Sequence, residues 1–367
     1  MFIVVLSLRL SLRSYDLDIF SGPAQELSLS SEFYPPLSNN VRIFDSVFLG
    51  MYQRALSIYS DQENNLMIER TTFYNVSTPE PNYGAIYFYT RGNSSLRFVC
   101  ANRCYTRVTS GSYQFAYIST GTNGYNCMYY CTLANLDNEG VSRYYPISLI
   151  NGYQWIQGLN SSRNTGYYQY SGPNLYPTQI LHMNFSNICH NVAQTHYTFY
   201  VTSYYLRQND FFECNFINNS NQHPSYYVLF FSGTAIQVME RCIFARNKGL
   251  LFYGPTNTEG NLIILSCSVA HEYTTNSFTQ GRIQIQAFVI TAGTITQSHA
   301  LQHLSTEMCI AEIAAPISES GISAECFAYT PPQTFYLPTD CNSGTNNNAE
   351  IFNIISVLQI LSVQLIQ

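Results

Sequence analysis

Charge is what this 367-residue chain has least of: Asp, Glu, Lys and Arg together make up 10% of it, against roughly 25% in an ordinary soluble domain. A formal net charge of −6 leaves no basic surface to neutralise phosphates, which argues against a nucleic-acid partner. Lysine is nearly missing, Lys248 being the single one, and Trp155 is the single tryptophan. No Asp or Glu occurs between Glu139 and Asp210. Glycoside chemistry, which works with a pair of carboxylates, has little to stand on there. Sustained helical periodicity is also scarce, confined to Gln297–Ile313 and Ile351–Ile366, so an all-α fold is excluded.

What the chain does have is 46% hydrophobic and 15% aromatic residues, with 31 Tyr and 23 Phe, enough apolar surface to offset the entropy of ordering. Its uncharged polar fraction is Asn, Ser, Thr and Gln, residues of turns and strands rather than helices. Alternating apolar and polar runs such as Ala85–Tyr89, Ser95–Cys100 and Ile283–Val289 are short and bounded by turn residues. The class these features predict is all-β.

An internal repeat narrows the class to an architecture. Cys214-Asn-Phe216-Ile-Asn-Asn219 is echoed by Cys242-Ile-Phe244-Ala-Arg-Asn247, and Cys267-Ser-Val269 refills the first two slots. Upstream, Met183-Asn-Phe185 reads as an earlier copy, and Glu69-Arg-Thr-Thr-Phe73 mirrors Glu240-Arg-Cys-Ile-Phe244. A second echo sets Cys100-x3-Cys104 against Cys127-x3-Cys131. A helix-free unit of roughly 25 to 28 residues cannot bury its own apolar face and must stack on copies of itself. The predicted fold is therefore a single right-handed parallel β-helix, a pectin-lyase-like solenoid with caps at both ends. Equivalent positions then lie about 4.8 Å apart along its axis. Cys214, Cys242 and Cys267 should form an internal ladder beside Phe216, Phe244 and Val269, with Asn219 and Asn247 in left-handed turn positions. A β-propeller, at roughly 40 residues or more per blade, does not fit this period.

These C-x-F-x-x-N coils, with Gly84-Ala-Ile86, resemble the FxxN and GGA(I/L/V) motifs of the polymorphic outer-membrane protein type of β-helix, although the first Gly of the second motif is missing. The stretch from Phe212 to Ile313, including the segment from Ser298 to Cys309, is similar to families of right-handed β-helix surface proteins of flagellate protist parasites. The resemblance covers about two thirds of the chain. It implies display on a cell surface and adhesion, with no catalytic residues to carry over.

The organisation expected is a degenerate leader over residues 1–13, an N-terminal cap over 14–39, the β-helix over 40–296, a Cys-containing cap over 297–343, and a polar linker with an apolar tail over 344–367. Sequons at Asn75, Asn93, Asn160, Asn184 and Asn218 suit a secretory route. Eleven cysteines suit disulfides or a buried Cys ladder equally well. The two C-x3-C pairs, Cys100 with Cys104 and Cys127 with Cys131, could bond between coils. Cys309 is expected to pair with Cys326 or Cys341. The tail Ile351–Ile366 is interrupted by polar residues and reads as a cap, with membrane association or a lipid-anchor signal as the alternatives.

Candidate chemistry is sparse. His299, His303 and Glu307 share an i, i+4 spacing that could chelate a metal, but the apolar residues among them suit a closing cap. No cofactor is indicated. Glu69, Glu213 and Glu240 recur before a Cys or Thr and read as one repeated surface turn position. The central aromatics, chiefly Trp155, Tyr167, Tyr168 and Tyr170, are the expected binding face, for host-cell glycans or surface proteins. Strand alternation should turn about half of the tyrosines inward. The functional expectation is a non-enzymatic cell-surface or secreted display protein. A polysaccharide lyase or hydrolase and an inert coat protein are the alternatives.

Overall fold

Every described strand pairs in parallel with a strand one coil away, and the pairs assemble into three long sheets of ten, ten and nine strands, with two short sheets of three and two strands beside them. The computed structural model describes residues 40–291, apart from 80–83, 108–112, 137–144, 167–169, 205–206, 224–225, 256–259, 271–278, 281 and 287–288, and also Cys309. The fold is a right-handed parallel β-helix, and there is no helix among the described residues. The first sheet runs from Asn40–Phe44 to Ile283–Gln286, the second from Val47–Leu49 to Val289–Thr291, and the third from Leu56–Tyr59 to Thr279–Gln280. The expected leader, N-terminal cap, C-terminal cap and tail lie outside the described residues, apart from Cys309.

Coils differ in length but hold register: Asn40 pairs with Asn65, Leu66 with Ser94, Ser94 with Asn126, and Leu262 with Ile283. Extra residues are taken up between strands, so they do not disturb the ladder. From Val47–Leu49 to Ser268–Ala270 the middle residue of the second-sheet strands points inward, and Phe48, Phe73, Ala101, Leu133, Ser161, Ile188, Phe216, Phe244 and Val269 form a column, all but Ser161 in the main core. Phe216 and Phe244 stack with ring centroids 5.3 Å apart, and Glu69 shares a register position with Glu240, as the repeat predicts.

The corners carry the fold's main constraint. Between the first and second sheets each coil turns on one residue with left-handed backbone, among them Arg70, Phe98, Tyr130, Phe185, Glu213 and Arg241, with φ between 47° and 53°. Such a conformation costs a side-chain-bearing residue about 1–2 kcal/mol. It is offset because the ladder continues through the turn: the Phe98 amide donates to the Tyr129 carbonyl at 2.9 Å and the Glu213 amide to the Glu240 carbonyl at 3.0 Å. The residue after it faces inward, giving the column Thr71, Val99, Cys131, Leu159, Ser186, Cys214, Cys242 and Cys267. Its own amide points along the axis and needs an acceptor from the next coil. Leu159 donates to the Ser186 hydroxyl at 3.2 Å and Cys242 to the Cys267 sulfur at 3.3 Å. The same Ser and Cys side chains donate back to carbonyls two residues earlier, Ser186 to Asn184 at 2.9 Å and Cys214 to Phe212 at 3.5 Å.

At the next corner asparagine does both jobs. The amides of Leu136, Asn164, Asn191 and Asn219 donate to the Oδ1 atoms of Asn164, Asn191, Asn219 and Asn247 at 2.9–3.1 Å. Their Nδ2 groups donate to the carbonyls of Leu133, Ser161, Ile188 and Phe216 at 2.7–3.0 Å. The asparagine of the F-x-x-N motif is therefore a buried axial bracket. The left-handed residue is its predecessor, Asn218 or Arg246, which corrects the expectation for Asn219 and Asn247.

Three further expectations are corrected. Phe185 lies at a left-handed corner in line with Glu213, so the true earlier copy is Ser186-Asn-Ile188-Cys-His-Asn191, whose Ile188 pairs with Phe216. The C-x3-C echo is out of register: Cys100 pairs with Thr132 in the second sheet, whereas Cys127 pairs with Trp155 in the first. Glu213 is a buried corner residue ion-paired with Arg241 at 2.5 Å, one position beyond the slot of Glu69 and Glu240.

Replacing Asn219 by Ala leaves the Asn191 amide and the Ile188 carbonyl buried without their partners, each costing about 1–3 kcal/mol. Chemical denaturation should show a loss of about 3 kcal/mol for Asn219→Ala and almost none for Asn75→Gly at an exposed left-handed corner. A loss under about 1 kcal/mol for Asn219→Ala would refute the bracket.

Candidate functional site

Among the described residues tyrosine is kept out of the main core, whereas phenylalanine lies on both sides of the sheets, with Phe98, Phe185 and Phe230 facing outward. The main core contains Phe at many positions and no Tyr, because a phenol turned inward would need a buried partner for its hydroxyl. Against the expectation that about half face inward, no described tyrosine joins the main core; most of the rings gather outside the third sheet, with Tyr125, Tyr129, Tyr130 and Tyr153 at the first. In Ile86–Tyr89, Ile86 and Phe88 join the core while Tyr87 and Tyr89 face away from it. In Phe199–Ser203, Phe199 and Val201 point in, and Tyr200 lines up with Phe230 and Tyr253 outside.

The outward rings form one chain of contacts along the axis. Tyr59 meets Tyr87 at 6.4 Å, Tyr87 meets Tyr117 at 5.7 Å, Tyr117 meets Tyr113 at 4.8 Å, and Tyr113 meets Tyr145 at 6.5 Å. Tyr145 stacks on Tyr170 at 4.2 Å, Tyr170 reaches Tyr200 at 5.7 Å, Tyr200 stacks on Phe230 at 5.2 Å, and Phe230 on Tyr253 at 4.3 Å. Tyr197, His196 and Tyr226 widen the stripe, with Tyr197 on Phe230 at 4.0 Å and His196 on Tyr226 at 4.7 Å. Most of these rings are half-buried by one another, while Tyr59 at one end is 69% exposed. Burial, followed by the neighbouring phenols, holds the Tyr145 and Tyr197 hydroxyls above their ordinary range, so these two phenols stay neutral at physiological pH. It offers ring edges, a few open faces and hydroxyl groups, at a spacing set by the coils.

The expected binding face is divided. Tyr170 belongs to this stripe, and Tyr167 and Tyr168 lie outside the described residues. Trp155 sits on the first sheet instead, in the outward row Cys127, Trp155, His182, Asp210 and Val238. There the Trp155 and His182 rings lie 4.6 Å apart and His182 Nδ1 is 3.1 Å from an Asp210 oxygen. Gln208 also donates to Asp210 at 2.7 Å. Partial burial pushes the Asp210 acidity one way, but the hydrogen bonds from His182 and Gln208 and the His182 charge outweigh it and hold the carboxyl below its usual range. This row presents one carboxylate, half of what glycoside hydrolysis uses. Sequence reasoning missed His182 and the aromatic stripe. The signal available was the recurrence of Tyr at alternate positions of the third-sheet strands.

Cys100 is disulfide-bonded to Cys309, with Cα atoms 6.0 Å apart, which overturns both an inter-coil bond from Cys100 and a pairing of Cys309 with Cys326 or Cys341. Cys127 is also in a disulfide, with a partner outside the described residues. Cys104, Cys131, Cys189, Cys214, Cys242 and Cys267 are buried thiols; burial pushes Cys104 and Cys131 up to about 12, so those two stay protonated. His299, His303, Glu307, Cys326 and Cys341 lie outside the described residues. Among the described residues, no cluster of three or more His, Cys, Asp or Glu side chains could hold a metal.

The sequons differ sharply. Asn75 is exposed at a left-handed corner. Asn93 is engaged with Asn65 at 2.9 Å and Asn218 with His190 at 3.0 Å, Asn184 is partly covered, and Asn160 is fully buried. No protein family, no curated protein and no solved structure matches the chain.

Expressed through a glycosylating secretory pathway, the folded chain should carry a glycan at Asn75 and none at Asn160. Peptide mapping after glycosidase digestion in heavy-oxygen water reads each site separately. Occupancy at Asn160 in folded material would refute its burial.

Proposed function

We propose that this chain is a non-enzymatic display protein of the cell surface or extracellular space, and that its third-sheet stripe binds a neutral, hydroxyl-rich partner such as a glycan. The observation that carries this reading is the unbroken outward row of tyrosine and phenylalanine rings from Tyr59 to Tyr253. Aromatic side chains supply large contact area at little entropic cost, and their hydroxyls can hydrogen-bond sugars. The neutrality of the phenols suits an uncharged ligand better than an acidic one. The Cys100–Cys309 disulfide accords with an oxidising compartment.

A second reading, polysaccharide cleavage, draws on the His182–Asp210 pair beside Trp155. A His oriented by a carboxylate can act as a general base, and an aromatic neighbour can seat a sugar. The two readings place function on different faces and therefore separate experimentally.

Purified protein is expected to bind a glycan array or cells saturably. Tyr197→Ala with Tyr253→Ala should weaken binding about tenfold or more, with an unchanged β-type circular dichroism spectrum. Trp155→Ala should leave it intact. Polysaccharide turnover abolished by His182→Ala would favour the enzyme, and absence of saturable binding to every surface tested would leave only an inert coat.

A further inference from the structure

The outer face of the second sheet is buried where a solenoid should meet water. Residues flanking its inward column point away from the core, yet Asn160, Asn187 and Asn215 are no more than 1% exposed. Cys189, Ile217, Ile243 and Ala245, also on this side, form a hydrophobic cluster separate from the main core. An open sheet face would leave these side chains to solvent, so something covers them.

One described residue from beyond the coils reaches this face. Cys309 is fully buried and bonded to Cys100, which occupies the outward position at the start of the strand Cys100–Asn102. From the last strand of the sheet, Val289–Thr291, back to Cys100 is seven rungs, about 34 Å at the spacing of paired strands. The eighteen residues from 292 to 309 reach about 60 Å when extended. To join Cys100, the chain must leave the C-terminal end of the solenoid and run back toward its start. Its sequence, with Ile295, Leu301, Leu304, Met308, Ile310 and Ile313, has the apolar residues needed to meet the outer cluster.

We propose that the outer face of the second sheet is an internal docking surface for the chain's own segment 292–313, held in place by the Cys100–Cys309 disulfide. The segment forms a strap over the solenoid and gives the outer cluster its second wall. The binding stripe lies on another sheet, so this proposal stands or falls separately from the proposed function. It also accounts for the buried sequon, because Asn160 lies beneath the strap.

Cys189 is the built-in probe, since it belongs to the outer cluster while Cys214 and Cys242 belong to the interior. In the intact folded protein, site-resolved alkylation should leave all three unmodified. A protease site is then placed between residues 292 and 297 and cut after folding, and the disulfides are reduced to release the downstream piece. Cys189 should then alkylate at least tenfold faster, with Cys214 and Cys242 still protected, and an added peptide of residues 292–313 should restore protection. Cys189 remaining protected after release would show another cover and overturn the proposal. So would simultaneous exposure of Cys214, which would mean that the coils themselves had opened, or failure of the peptide to protect.

Discussion

A single backbone group shapes much of this molecule: the inward amide that follows each left-handed corner. The corner lets a coil turn in one residue, but it rotates the next peptide out of the lateral ladder and along the solenoid axis. A buried amide cannot be left without an acceptor. The acceptor comes from the next coil, from Ser186 and Cys267 at one corner and from Asn164, Asn191, Asn219 and Asn247 at the other. Small side chains with a lone pair serve at those positions, and the first-corner column also accommodates the apolar Val99 and Leu159. The middle of the second-sheet strand has no such duty, and Phe, Leu, Ile and Ala replace one another there.

Stacking also organises the outside. Each coil touches mainly its two neighbours, so any residue type repeated at an outward slot becomes a column. At the first corner this gives axial ion pairs, Arg70 with Asp45 at 2.6 Å and Arg241 with Glu213 at 2.5 Å, and the stacked Phe98 and Tyr130 rings. On the third sheet it gives the tyrosine stripe. A chain with so few charges keeps its surface polar through phenols, amides and hydroxyls. This composition suits the proposed recognition of neutral groups, and the His182–Asp210 pair lies apart from the stripe, on the first sheet.

Parts of this were legible in the residues. The recurrence of Cys214, Cys242 and Cys267 with Phe216, Phe244 and Val269 has a period too short for a blade and too long for a hairpin, and it leads directly to stacked coils. The neighbouring signals misled for one physical reason: both corners use the same small polar residues. Cys104 is the inward residue of the second corner and Cys131 that of the first, so their equal spacing from Cys100 and Cys127 is fortuitous. Phe185 looked like a core Phe because its neighbours are spaced like those of Phe216, although it is an outward corner residue packed against Phe212. The asparagines at 164 and 191 continue the bracket without a Phe three residues before them, which hid two coils.

The sequence by itself determined the class, the solenoid and the strand-facing period, because burying an alternating short strand without helices requires stacked copies, and the repeat length sets their kind. It also determined that the repeated Phe216 and Phe244 would lie inside, since an apolar ring needs no partner and both sit at the inward slot of the repeat. Only the tertiary structure decided which residues share a column, because insertions between strands change the coil length while the hydrogen-bond ladder restores the register. For the same reason only the fold could bring Cys309 to Cys100, split Trp155 from Tyr170, hide Asn160 and expose Asn75. Each of these depends on which coil and which face a residue reaches, and spacing along the chain does not encode that.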